Sequence, residues 1–212
     1  MRDIPVFTTE YGVASLVLRE IPYRQEAYIC IQSSCQPKEL LEECIGFCRA
    51  CGAEKIYARN HEFLEKYPLH TAILKMRGIA RIDENKVEHL WPVTEETVSQ
   101  WRQFMNERLK NVDNAATLDG TSEKEILERG GACFVHKNGE LLGGGWLANG
   151  ELLLIAAAVP GAGERVMHTL MSLQPDEPIE LEVASTNTRA IRLYEKLGFV
   201  KASELRQWYK VF

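Results

Sequence analysis

The chain has 212 residues, a formal net charge of −5, 45% hydrophobic and 26% charged side chains, which is enough to bury a substantial core and lies outside collagen-like, low-complexity and disordered compositions. Its longest apolar run, LLLIAAAV at 152–159, falls short of the ~18 residues a membrane-crossing helix needs, and its scattered charges form no basic stripe that could displace counterions from phosphates. Neither a membrane nor nucleic acid is therefore an expected partner, and Met1-Arg2-Asp3-Ile4-Pro5, which lacks a basic-then-apolar leader, points to a cytoplasmic protein.

In chain order, Ala14–Leu18 and Ala27–Ile31 read as strands, and Pro37 opens a helix that Gly52 closes. Five of the six cysteines fall at Cys30, Cys35, Cys44, Cys48 and Cys51. Three of them, Cys44, Cys48 and Cys51, share a helical face and could converge on zinc. Three thiolates from one helix converge poorly on a tetrahedral ion, however, and no CxxC knuckle or His pair completes the set. With Leu40, Leu41, Ile45 and Phe47 they make an apolar stripe in which cysteine serves as a small hydrophobe, so core packing is expected and no metal site. Without a leader, a disulfide framework is not expected either. Lys55–Ala58 reads as a strand, and a helical pattern runs from about Glu62 to Arg77, interrupted by Pro68 and ended by Gly78.

The second half begins with a strand at His89–Val93 and a long helix from Thr94 to Arg108, then a short helix at Ser122–Arg129. A hairpin follows, with Ala132–His136 turning at Lys137-Asn138-Gly139-Glu140 into Leu141–Leu147. Asn149-Gly150 turns into a strand from Glu151 to Val159, and a helix (Glu164–Leu173), a strand (Ile179–Ala184), a helix (Arg189–Leu197) and a strand near Arg206–Phe212 complete the order. This succession describes an α/β (α+β) arrangement around one mixed sheet over residues 89–212.

The segment Leu181-Glu182-Val183-Ala184-Ser185-Thr186-Asn187-Thr188-Arg189-Ala190-Ile191-Arg192-Leu193-Tyr194-Glu195-Lys196-Leu197-Gly198-Phe199 closely resembles the signature of the GNAT superfamily of acetyl-coenzyme A dependent N-acetyltransferases. That signature is an L-x-V strand, an Asn, then A-I-x-L-Y-E-K-L-G-F. The resemblance implies a GNAT-like mixed sheet flanked by helices for 89–212. It also makes residues 1–88 look like a partial copy of the same fold, because Arg77-Gly78-Ile79 closes a helix, strand, helix run as Leu197-Gly198-Phe199 does, and Asn60 follows its strand as Asn187 does. The copy departs where Leu74 stands four residues before Gly78 and Tyr194 four before Gly198.

The same resemblance implies the site. The family binds the coenzyme's pyrophosphate on an R/Q-x-x-G-x-G/A loop, where free amides and a helix N-terminus receive negative charge. Here that place is held by Pro160-Gly161-Ala162-Gly163-Glu164-Arg165-Val166-Met167. Its glycine spacing is altered and Glu164 adds a negative charge that Arg165, donating to a phosphate, would offset; a plain tight turn is the alternative. Ala157, Ala158 and Val159 would offer backbone groups to the pantetheine arm and thioester. Asn187 would contact that arm or cap a helix, and Tyr194 would be the acid that protonates the leaving thiolate, or else an aromatic on the apolar face with Ala190, Ile191 and Leu197. Glu151, Glu180 and Glu182 lie on the central strands without identifying a base, and His136 and His168 read as surface or core residues.

The reading that follows is an acetyl-CoA dependent N-acetyltransferase acting on a primary amine of a small molecule or peptide by direct attack on the thioester. The alternative is a non-catalytic acyl-CoA binding or interaction module on a degenerate GNAT fold. The first half would be structural or shape the substrate side, and its sheet edges call for cover by the other half or by a second copy in a homodimer.

Overall fold

The computed structural model describes residues 4–79, 81–113, 115–175 and 177–212. The chain divides into two compact units, Met1–Ile73 with Leu205–Phe212, and Leu74–Glu204.

In the first unit, β1 (Val6–Thr9) and β2 (Gly12–Val17) form a hairpin, followed by α1 (Ile21–Arg24), β3 (Glu26–Ser34), α2 (Pro37–Ala50) and β4 (Lys55–Arg59). Strands β3 and β4 are parallel, with α2 as their crossover. A short 3-10 helix, Glu62–Lys66, leads into β5 (Leu69–Ile79). Ala14, Leu16, Ile29, Ile31, Ile56 and Ala58 from the strands bury against Leu40, Leu41, Cys44 and Cys48 of α2. Burial pushes the Cys44 and Cys48 thiols up to about 11 and about 12, so both remain protonated and pack as small apolar groups.

The helix expected from Glu62 to Arg77 is corrected here. Only one 3-10 turn forms, with His61 Nδ1 accepting from Phe63 N at 3.1 Å, and the segment after Pro68 is an 11-residue strand. Thr71, Ala72, Ile73, Leu74 and Met76 are buried within a sheet, and burial on both faces erases the alternation that identifies a strand, leaving a run that sequence cannot tell from a helix. Gly78 is accordingly not a helix stop. A Cβ there would sit 2.9 Å from Phe199 Cα, so glycine lets β5 pass close to that backbone.

The second unit continues with a 3-10 turn at Glu84–Lys86, β6 (His89–Pro92), α3 (Val98–Leu109), α4 (Gly120–Arg129), β7 (Ala132–Lys137), β8 (Glu140–Ala148), β9 (Glu151–Ala157), α5 (Gly163–Met171), β10 (Pro178–Ala184) and α6 (Thr188–Lys196). The last strand, β11 (Val200–Lys210), and β5 supply residues to both units. Residues 74–88, read from sequence with the first half, therefore cluster with the second unit, and 205–212 with the first. Strand order is β1-β2-β3-β4-β11-β5 in the first unit and β11-β5-β10-β9-β8-β7-β6 in the second. Pairs β6–β7, β7–β8 and β8–β9 are antiparallel and β9–β10 is parallel, giving a mixed sheet.

Helices cover both faces of that second sheet, and three consecutive glycines of β8 set how closely. A Cβ on Gly143 would run into the Ala156 carbonyl and lie 2.8 Å from Val166 Cγ2, and one on Gly145 would collide with Leu170, so α5 settles directly onto the strand. On the opposite face Trp101 of α3 lies over Gly144 and donates its indole N–H to Cys133 O at 3.0 Å. Among the described residues no helix is long and apolar enough to cross a membrane.

Candidate functional site

The site begins with a strand that parts from its neighbour. β9 pairs with β10 only at Glu151↔Glu180 and Leu152↔Leu181, whereas its pairing with β8 continues to Gly143↔Ala157. The β8–β9 register skips one residue, Leu153, between Leu147↔Leu152 and Trp146↔Leu154. Such a bulge bends and twists the strand that carries it, and from this point β9 no longer pairs with β10. Ala158 N donates to Leu142 O at 2.7 Å, so its amide is spent on β8 and is not available to a ligand as expected. By alternation Ala157 turns its N–H and C=O to the open edge instead.

Past β9 the chain turns through Val159, Pro160 and Gly161, the last at φ +84° with nothing within 4 Å of where a Cβ would lie. Ala162, the N-cap of α5, makes no side-chain cap hydrogen bond. The first bond of the helix runs from Val166 N to Ala162 O at 2.9 Å, which leaves Gly163, Glu164 and Arg165 as the first-turn amides without an intrahelical acceptor. The Val166 amide is thus already used, and its side chain is fully buried against Gly143.

Strand edge and helix start open into a cavity of about 600 Å³. Ala157, Ala158, Val159, Gly161, Gly163, Glu164, Asn187 and Tyr194 line it; Ala162, Arg165 and Val166 do not. Arg165 is turned elsewhere, with Nη1 donating to Glu88 Oε1 at 2.6 Å and to Asn85 O at 3.3 Å. The expectation that Arg165 offsets Glu164 is corrected, since two lysines do so. Lys196 Nζ and Lys86 Nζ each donate to one Glu164 oxygen at 2.7 Å, and these two partners, Lys196 first, pull its carboxyl down to about 2. The negative charge at the start of α5 is therefore neutralised, not aimed at the helix amides.

That ion pairing carries a pH signature. A carboxyl held below its unfolded value of about 4.5 contributes stability that is complete above that pH and is lost as pH falls toward about 2. Glu164→Gln is expected to melt lower than the parent at neutral pH, with the gap closing between pH 4.5 and 2. Thermal midpoints of the two proteins measured across that range test this; a constant gap would contradict it.

Tyr194 lies on α6, 6% exposed, with its ring 6.0 Å from that of Phe199. Burial pushes its phenol up, so the group is protonated at neutral pH, and its hydroxyl has no hydrogen-bond partner among the described residues. Asn187 is the helix cap: its Oδ1 accepts from Ala190 N at 3.2 Å. The glutamates of the central strands are engaged. Glu151 pairs with Arg129 at 2.7 Å, and Glu180 with Lys75 at 2.6 Å and Arg77 at 3.6 Å. The Lys75 hydrogen bond holds Glu180 below the usual carboxylate range, which makes it a weaker base. His168 is buried, accepts from Asp83 N at 3.2 Å on Nδ1, and is kept neutral by that burial.

The cavity also has four cations that sequence reading passed over: Arg108, Arg189, Arg192 and Lys196. Three of these stand at i, i+3 and i+7 on α6, a spacing that places them on one side of the helix and was legible. Arg108, with Leu109 and Val112 beside it, comes from the end of α3 through the tertiary fold and has no local signal.

No protein-family model matches the chain, and no curated protein matches it. Solved structures do. The chain is similar to a GNAT-family acetyltransferase from Colwellia psychrerythraea (TM-score 0.52, 15% identity, 97% of this chain and 84% of that one). It is similar also to a GCN5-related N-acetyltransferase from Kribbella flavida (0.56, 13%, 100% and 91%), and to a conserved protein of unknown function from Staphylococcus epidermidis (0.58, 9%, 98% and 93%). At such identities the likeness is one of fold, and the fold is the GNAT-like mixed α/β architecture that the segment 181–199 implied.

Proposed function

We propose that the second unit is an acetyl-coenzyme A dependent N-acetyltransferase whose acceptor is a primary amine on a small molecule or peptide. One observation carries the reading: the edge of β9 that opens after Leu152, the uncapped first turn of α5 and the buried phenol of Tyr194 border a single cavity. The residues fit the coenzyme's chemistry. Three first-turn amides and the three arginines Arg108, Arg189 and Arg192, with Lys196 already spent on Glu164, suit a polyanionic phosphate group, and Gly161 and Gly163 leave the backbone open to close approach.

Acetyl-coenzyme A bound there would supply an acyl group activated as a thioester. The amides of Gly163, Glu164 and Arg165 would hold its phosphates. Ala157 N–H, on the open edge, would donate to the thioester carbonyl oxygen as charge builds on it during amine attack. Tyr194 would give its phenolic proton to the sulfur as the C–S bond breaks. The partial-copy reading of the first unit keeps as support only the parallel β3, α2, β4 crossover, because the helix expected ahead of Arg77-Gly78-Ile79 is strand β5.

Acetyl-coenzyme A at about 100 times its dissociation constant is expected to stabilise the protein by about 2.7 kcal/mol, raising the melting temperature by about 5–10 °C. No shift at millimolar ligand would overturn the reading. The second reading, an acyl-coenzyme A binding module without turnover, is favoured by Glu164 being the one carboxylate that lines the cavity among the described residues and being held by two lysines. It predicts the same thermal shift with no release of free thiol across an amine panel.

A further inference from the structure

The helix start that the transferase reading assigns to phosphates carries a carboxylate of its own. Glu164 stands in the first turn of α5 and lines the cavity. A carboxylate placed there is drawn by the partial positive charge of the free amides and competes with a phosphate for them. Ala162 supplies no side-chain cap that would occupy those amides first. Both oxygens of Glu164 are instead taken by lysines, Oε2 by Lys196 Nζ and Oε1 by Lys86 Nζ, each at 2.7 Å. Lys196 lines the cavity and Lys86 does not, so Lys86 reaches the coenzyme's surroundings only through Glu164.

Lys86 is held in place by the segment 83–88, which is fastened along α5. Asp83 caps the 3-10 turn Glu84–Lys86, its Oδ1 accepting from Asn85 N at 3.1 Å. Asp83 N donates to His168 Nδ1 at 3.2 Å, and Glu88 N to Thr169 Oγ1 at 2.9 Å. Arg165 Nη1 donates to Asn85 O at 3.3 Å and to Glu88 Oε1 at 2.6 Å. Glu164, Arg165, His168 and Thr169 follow one side of the helix, and all four hold this segment. Lys86 also meets Asp83 Oδ2 at 3.4 Å, a longer contact than the one to Glu164.

We propose that Lys86 is a positioning residue for the coenzyme: from outside the cavity it holds the Glu164 carboxylate off the amides of Gly163, Glu164 and Arg165 and cancels part of its charge, leaving those amides to the phosphates. The inference rests on the coenzyme reading of the cavity. Without Lys86 the carboxylate keeps one charged partner among the described residues, Lys196, which is on the cavity wall. Phosphate and carboxylate would then compete for that ammonium as well as for the amides.

Calorimetric titration of the full chain with acetyl-coenzyme A tests this. Lys86→Met and Lys86→Gln are each expected to weaken binding by about three- to tenfold at low salt, the effect of one uncancelled charge several ångströms from a phosphate. The loss is expected to shrink at about 1 M salt, where charges are screened over about 3 Å. Lys86→Arg, which keeps the charge, is expected to bind within about twofold of the parent, and in a Glu164→Gln background Lys86→Met is expected to cost less than about twofold, because the group it acts through is gone. Lys124→Met on α4, which removes the same charge from a side chain 82% exposed, is expected to leave the affinity unchanged. No binding by the parent would overturn the coenzyme reading and this proposal together. With a parent that binds, equal binding by the folded Lys86 variants, a loss that persists undiminished beside Glu164→Gln or at high salt, or an equal loss in Lys124→Met would each overturn the role of Lys86 alone.

Discussion

Tyr194→Phe is expected to lower acetyl transfer by about 10²–10⁴-fold while leaving the thermal shift with acetyl-coenzyme A within a few tenths of a degree of the parent's, the range attached to losing one positioned proton donor. The phenyl ring keeps the contact with Phe199 at 6.0 Å, so packing is preserved and only the hydroxyl is removed. Because burial raises the phenol from its ordinary 10.0, the acid stays protonated through the whole neutral and mildly alkaline range. The alkaline limb of the parent's rate profile should accordingly lie above pH 10.0 wherever this proton is required. Free-thiol release measured on both proteins decides the matter, and equal rates would take Tyr194 out of the acid role.

Gly143→Val is expected to destabilise the second unit by at least about 3 kcal/mol, at the upper end for overpacking, or about 6–12 °C in melting temperature. The branched side chain would meet the Ala156 carbonyl, which belongs to the backbone of the paired strand and cannot rotate away, as well as Val166 at 2.8 Å. Relief would require α5 to lift from β8, carrying the first-turn amides away from the strand edge. Gly46→Ala is the matching control: it lies within α2 with nothing within 4 Å of the added methyl, and a gain of up to about 1 kcal/mol is expected there. Urea melts of both variants, in which Gly143→Val proved as stable as the parent, would contradict the packing account.

Much of the second unit could be read from the residues because its signals are local. Asn138-Gly139 and Asn149-Gly150 provide the positive-φ residues that tight turns need, and the run 181–199 carries strand, cap and helix within one stretch of chain. The strand at 69–79 was illegible because its Thr-Ala-Ile-Leu core is apolar on both faces, so neither period stands out. At the site, turn and helix start were readable from Pro160 to Val166, but side-chain direction was not. Arg165 looked available until Glu88, 77 positions away in sequence, was seen to hold it. The triple glycine 143–145 was legible only as part of the hairpin strand Leu141–Leu147, and its role as the contact surface for helices on both faces emerges from the tertiary packing.

The extra residue at Leu153 has one more consequence. The bulge is a mismatch in backbone counting between β8 and β9, one position on β9 with no counterpart on β8, and it falls where the pairing of β9 with β10 ends; no particular side chain has to be there to produce it. Mutational drift along β9 can therefore rewrite the cavity lining residue by residue while the extra backbone position persists.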